Sequence, residues 1–194
     1  MKITDKLLLK DTHVCPWWLA YSFDNPLRLI FHRPDQILRP YLLEGMTAVD
    51  IGCGMGFFCI PMAVIVGEQG RVIAVDIQQK MLDVVAKRAL ARGVNKRISL
   101  HRCTSGSIGL DCEADFVLTF WMAHEVPNID QFMVQVLSLL KPGGKYLVAE
   151  PKMHVDSKGF EKISEAAASA GFQILSRPKI ALSRAALFEA LEKE

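Results

Sequence analysis

Short, nearly continuous apolar runs alternate along this chain with longer stretches in which apolar residues recur every three or four positions. The short runs Thr47–Ile51, Arg71–Asp76, Ile98–Arg102, Ala114–Phe120 and 145–150 predict strands, and the continuous apolar run of Arg71–Asp76 predicts burial on both sheet faces. The stretches 57–66, 78–92, 130–140 and 157–170 carry the period of helices. Gly93 and Gly171 stand where helices stop, and Lys141-Pro142-Gly143-Gly144 forms a turn before the fifth strand. Residues 172–176 and 180–188 read as two closing strands, although Ala185 to Leu191 suits a helix equally by propensity. Strand and helix alternate throughout, which implies an α/β fold: a mostly parallel sheet covered on both faces.

Residues 1–44 break that rhythm. Cys15 to Pro26 is crowded with aromatic residues and interrupted by prolines, which turn their predecessors away from helix. Residues 27–31 allow a helical turn or two, and Pro34 opens a short helix over 35–42. Trp17, Trp18, Tyr21 and Phe23 have two open readings: they cover a sheet edge, or they form a lid over an acceptor pocket. Trp18, Tyr21 and Asn25 are the candidates to touch an acceptor. The expected division is an N-terminal extension, 1–44, and a ligand-binding domain, 45–194.

The chemistry centres on Asp50-Ile51-Gly52-Cys53-Gly54-Met55-Gly56-Phe57, a strand end running into a glycine turn and a helix. Alternate glycines allow a sharp turn and a close approach of backbone to ligand, and the helix start offers backbone amides beside it. The third glycine comes one residue earlier than in a dinucleotide fingerprint, where Phe57 now stands. Asp50 places a carboxylate where a pyrophosphate would be repelled and an amine welcomed. Both features argue against a nicotinamide-dependent oxidoreductase and for a nucleoside ligand without phosphates. Asp76 ends the second strand 20 residues after Gly56, the interval at which a carboxylate meets a ribose in nucleoside-binding α/β folds. The ligand crevice of such sheets lies beyond the carboxyl ends of the strands, so Trp121 to Glu125 should border it.

The run Val-Asp-Ile-Gly-Cys-Gly-Met-Gly resembles the first motif of class I S-adenosylmethionine-dependent methyltransferases, and the likeness extends from about Leu43 to the C-terminus. It implies a Rossmann-like seven-stranded sheet with the last strand antiparallel, hence a strand rather than a helix up to about Phe188. It also implies S-adenosylmethionine as donor and S-adenosylhomocysteine as product. Carried over by position, the donor contacts are Asp50, Gly52, Cys53, Gly54, Gly56 and Phe57, then Asp76, Ile77 and Met81, with Phe120; Cys103 and Thr104 are expected to lie beside the base. After the third strand the family's adenine-binding acid is replaced by Cys103-Thr104-Ser105. The segment His124-Glu125-Val126-Pro127 resembles that of small-molecule and quinone-methylating enzymes, with Trp121 toward the acceptor. His124 and Glu125 are candidate bases, His124 with a structural hydrogen bond as its alternative role. Glu150-Pro151 is a secondary candidate on the acceptor side. The Asn/Asp-Pro-Pro-aromatic motif of amino-methylating DNA and protein enzymes is absent.

Composition narrows the partners. A chain of 194 residues with 23 basic and 21 acidic residues, net charge +2, demands neither nucleic acid nor an anionic membrane. The basic cluster from Lys87 to Arg102 reads as a solvated helix face. The longest apolar run, 57–66, is too short to span a membrane, and the N-terminus lacks signal-peptide character, so a cytoplasmic protein is expected. Five cysteines without a C-x-x-C pair suit reduced thiols; a thiol site for a soft metalloid, as in arsenite methyltransferases, is the rival reading. No metal-ligand set stands out. The expected partner is a small-molecule acceptor; an RNA methyltransferase or a non-catalytic donor-binding protein are the alternatives.

Overall fold

The structure, a computed structural model, describes residues 28–191. Its elements in chain order are α1 (Arg28–Phe31), α2 (Pro34–Leu38), β1 (Thr47–Ile51), α3 (Cys59–Ile65), β2 (Arg71–Asp76) and α4 (Gln79–Ala91). There follow β3 (Ile98–Arg102), β4 (Ala114–Phe120), α5 (Ile129–Ser138), β5 (Leu140–Pro151), α6 (Ser157–Ala170), β6 (Phe172–Ser176) and β7 (Ser183–Ala190). The seven strands form one sheet in the order β3-β2-β1-β4-β5-β7-β6, and β7 alone runs antiparallel to its neighbours.

Strand side chains alternate between faces, and the two cores follow that alternation. Ala48, Val72, Ala74, Phe116, Leu118 and Leu147 face α3 and α4. Val49, Ile73, Val117, Tyr146 and Val148 face α5 and α6. Leu38 and Leu42 pack into the first core beside Met62 and Val66, so residues just before β1 help cover the sheet. At the carboxyl ends the same alternation sets Asp50, Asp76 and Phe120 on the α3/α4 face and Thr119 and Glu150 on the α5/α6 face.

Several boundaries differ from the sequence expectation. β5 starts at Leu140, not 145, because Leu140 pairs with Ala114 before an irregularity lets Lys145 pair with Phe116; the Lys-Pro-Gly-Gly turn is thereby absorbed into the strand. β7 covers Ser183–Ala190, so pairing with β5 and β6 overrides the helical propensity of its alanines. α2 ends at Leu38 rather than 42, and α3 begins at Cys59 rather than 57, leaving Phe57 and Phe58 in the turn. Trp18, Tyr21 and Asn25 lie outside the described residues.

Candidate active site

β1 delivers Asp50 buried at its end, 2% exposed. Its Oδ2 has no hydrogen-bond partner among the described residues, a rare and costly condition for a buried carboxylate. Burial, and then the nearby Asp76 charge, push its carboxyl up to about 7, while Arg28 and the Cys59 amide pull the other way. The chain then turns back through Gly52, whose amide, like that of Cys53, donates to the Val75 carbonyl, at 2.8 and 3.0 Å. Gly52 has φ +72°, and a Cβ there would meet the Met122 side chain at 2.6 Å. Gly54 has φ +51° with nothing within 4 Å of its would-be Cβ, so beside Gly54 the turn faces open space that only a glycine exposes to a ligand. Gly56 instead faces Cys59, Ile60 and Val85 at 3.2–3.3 Å, a packing role.

Asp76 closes this arrangement. Its two oxygens accept the Gly54 amide at 3.0 Å and the Gln78 amide at 2.8 Å, and burial raises its carboxyl above the ordinary range. The expected row of free turn amides is therefore modified: those of Gly52, Cys53, Gly54 and Gly56 all have partners inside the protein. What the turn offers is shape and negative charge.

Beside Asp50 lies an aromatic box. The Arg28 guanidinium sits 4.1 Å from the Phe57 ring centre and 5.4–5.8 Å from those of Phe58, Phe120 and Trp121. Trp121 holds φ +62°, a strained conformation for a non-glycine residue. It is pinned there by its amide on the Ala149 carbonyl, 2.7 Å, and its indole Nε1 on Ser183 Oγ, 2.9 Å. His32 packs edge-on against Phe120 and Trp121. A box of electron-rich faces beside a carboxylate favours cations, and here the protein supplies one of its own.

On the opposite sheet face, the fully buried Glu150 accepts the Ala123 amide at 2.9 Å through Oε1 and bonds His124 Nδ1 through Oε2. That bond chiefly raises the His124 pKa above the ordinary imidazole value, with the Glu150 and Glu125 charges adding to it against burial. A cleft of about 460 Å³ opens beside His124, between the β4–α5 connection and the start of α6.

The other expected site residues are placed as follows. Met81 is buried, and the Ile77 carbonyl accepts from Arg102 Nε at 3.3 Å. The Cys103 amide donates to the Asp76 carbonyl at 3.1 Å, while its thiol is pushed up to about 11 by burial and Asp76. Thr104 is exposed, with its hydroxyl on the Ser107 carbonyl of its own loop. Cys53 is buried with its thiol toward the first core. Among the described residues no three His, Cys, Asp or Glu side chains cluster as for a metal ion, and no helix is long and apolar enough to cross a membrane. Sequence reasoning missed Arg28 and His32, which reach the site only through tertiary packing. Glu150 carried a readable signal as the acid ending a buried strand.

Residues 42–181 match the family described as a methyltransferase domain. A demethylmenaquinone methyltransferase of Lactobacillus johnsonii is 30% identical over 157 residues, covering 77% of this chain and 64% of that protein. A ubiquinone biosynthesis O-methyltransferase of Chelativorans sp. is 33% identical over 135 residues, covering 69% of this chain and 50% of that protein. The chain thus spans only half to under two thirds of the length of these relatives. The crystal structure of a SAM-dependent methyltransferase from Aquifex aeolicus superposes with a TM-score of 0.82 at 22% identity, covering 92% of this chain and all of that one; at that identity the likeness speaks for the fold.

Proposed function

Because this chain belongs to the methyltransferase domain family, we propose that it transfers a methyl group from S-adenosylmethionine to a small-molecule acceptor, releasing S-adenosylhomocysteine. The observation that carries the reading is Asp50: a buried carboxylate with an unpartnered oxygen, at a glycine turn with open space beside Gly54. A phosphate-bearing dinucleotide would meet this charge unfavourably. A methionine ammonium would satisfy it.

When bound, the donor supplies an electrophilic methyl on a sulfonium that departs as a neutral thioether. The protein's part is placement. Asp50 takes the ammonium, directly or through water. Gly52 and Gly54 allow the close approach, and Cys53 and Gly56 shape the turn from behind. Asp76, already anchored on the turn, uses its remaining acceptor capacity for the ribose hydroxyls. Ile77, Met81, Cys103 and Thr104 border the base. Phe57, Phe120 and Trp121 form the aromatic wall toward the sulfonium, with Trp121 also toward the acceptor. His124 and Glu125 are the groups able to take a proton at the acceptor side. We read the N-terminal residues Trp18, Tyr21 and Asn25 as part of the acceptor's cover, the division at residue 44 as a functional one, and the protein as cytoplasmic, acting on a metabolite rather than a nucleic acid.

Calorimetric titration with S-adenosylhomocysteine and with NADH tests the donor assignment. Binding of the first and not the second is expected; the reverse would overturn it. Transfer of label from methyl-labelled donor into a metabolite extract then separates an enzyme from a protein that only binds the donor.

A further inference from the structure

From the Glu150–His124 pair and the cleft beside it, we infer that the acceptor is a small, largely apolar molecule with one ionisable O–H, bound between the β4–α5 connection and α6, and that Glu150 is the positioning residue that makes His124 its base. This rests on the methyl-transfer reading above.

The tautomer is fixed by the bonding pattern. Glu150 is fully buried, with one oxygen committed to the Ala123 amide and the other to His124 Nδ1. A carboxylate only accepts, so Nδ1 carries the proton and, in the neutral ring, Nε2 keeps a lone pair. Nδ1 is engaged behind the ring and His124 lines the cleft, which leaves Nε2 as the nitrogen for a ligand.

The cleft adds the chemistry of the occupant. Val126 and Ile129 form one wall, and Val155 and Ile163 the other. Such a volume and lining suit a ring-sized apolar body. The titratable and charged groups facing His124 are Glu150 from β5, Glu125 on its own turn, His154 edge-on at 5.9 Å between ring centres, and Asp156 and Lys162 across the cleft on the α6 side. Glu150 bonds the imidazole directly. The cleft also adjoins the donor turn, since Ala123 lines it and Met122 packs on Gly52.

The step balances without a further reactant. The acceptor O–H bond breaks, its proton passes to Nε2, and its electron pair stays on oxygen. That pair forms the new bond to the methyl carbon as the carbon–sulfur pair withdraws onto sulfur. The proton leaves His124 for water.

The probe for the cleft is 4-nitrophenol, whose absorbance reports its own ionisation. With S-adenosylhomocysteine saturating, the wild-type protein should bind it as the coloured phenolate at a pH where the free dye is mostly neutral. His124→Gln should abolish the anion signal while leaving S-adenosylhomocysteine affinity within about twofold, as expected of a site that does not touch the donor. Glu150→Gln retains an acceptor for the Ala123 amide and hence the fold. It should move the His124 titration, followed by imidazole NMR, back down to or below the ordinary value. Ile163→Phe, which fills the cleft, should exclude the dye and leave the titration in place. Dye bound in the neutral form, dye not bound at all, or a His124 titration indifferent to Glu150→Gln would each overturn the inference. If S-adenosylhomocysteine itself fails to bind the wild type, the methyl-donor reading falls instead, and the dye and NMR arms, run without it, still decide the dyad.

Discussion

Asp50 and Glu150 are both buried acids at the carboxyl ends of strands, and they do opposite things. Asp50 stands at the end of β1 on the α3/α4 face with an oxygen that no described residue satisfies. Glu150 lies near the end of β5 on the α5/α6 face with both oxygens taken. An acid left incomplete by its own fold is open to a ligand's cation, the role proposed for Asp50. An acid completed by its fold is a strut, fixing the loop that carries His124. The sheet keeps the two apart because adjacent strand positions point to opposite faces, so one rim carries two different acid sites.

The largest test is one of sign. Asp50's carboxyl is held near 7 against an ordinary value of 3.8, so the folded protein binds that proton more tightly than the unfolded chain. Its stability advantage is then present at low pH and lost as pH rises through about 7. Asp50→Asn should therefore stabilise the ligand-free protein at pH 8, by roughly 2–4 kcal/mol, with the gain shrinking toward pH 4. The same variant should weaken donor binding by about 1–3 kcal/mol. Denaturant titrations at the two pH values and calorimetry measure both. A loss of stability at pH 8 would mean that Asp50 is a strut after all.

Glu150→Ala should go the other way. It strands the Ala123 amide and His124 Nδ1 in a buried site, a cost of about 2–3 kcal/mol, with donor affinity unchanged. If this variant proved as stable as the wild type, the contrast between the two acids would collapse.

Asp76 tests the intermediate case, because it braces the turn and has acceptor capacity left for a ligand. Asp76→Ala should weaken S-adenosylhomocysteine binding by about 1–3 kcal/mol, and should also loosen the turn, since Gly54 loses its partner. Unchanged affinity in calorimetry would remove the ribose assignment.

Much of this was legible in the sequence because it is local. The strands Thr47–Ile51, Arg71–Asp76 and Ala114–Phe120 are largely apolar runs, and their bounds, like those of Ile98–Arg102, are the ones observed. Asp50, the glycines and Asp76 follow from spacing along one βαβ unit. The parts that were not legible depend on pairing between distant segments. β5 begins early because Leu140 meets Ala114, and the β7 alanines become strand because they lie between β5 and β6. Arg28 enters the aromatic box from outside the motif altogether. The division of Asp50 and Glu150 between two sheet faces needs the register of three strands, β1, β4 and β5, which no single stretch of sequence carries.

The smallest expected effect concerns Trp121, which stands between the two acids. Its backbone at φ +62° costs on the order of 1–2 kcal/mol, and the indole bond to Ser183 offsets part of that. Trp121→Phe keeps a ring against His32 and Phe120 but loses the indole donor, so stability should fall by only about 0.5–1.5 kcal/mol. The left-handed turn at Trp121 sets its ring beside Arg28, His32 and Phe120, while two residues later Ala123 and His124 turn to Glu150. The His124 titration should therefore stay where it is in this variant. A displaced His124 titration would show that the turn moves as one piece, so that the donor and acceptor sides are a single coupled device rather than two independent ones.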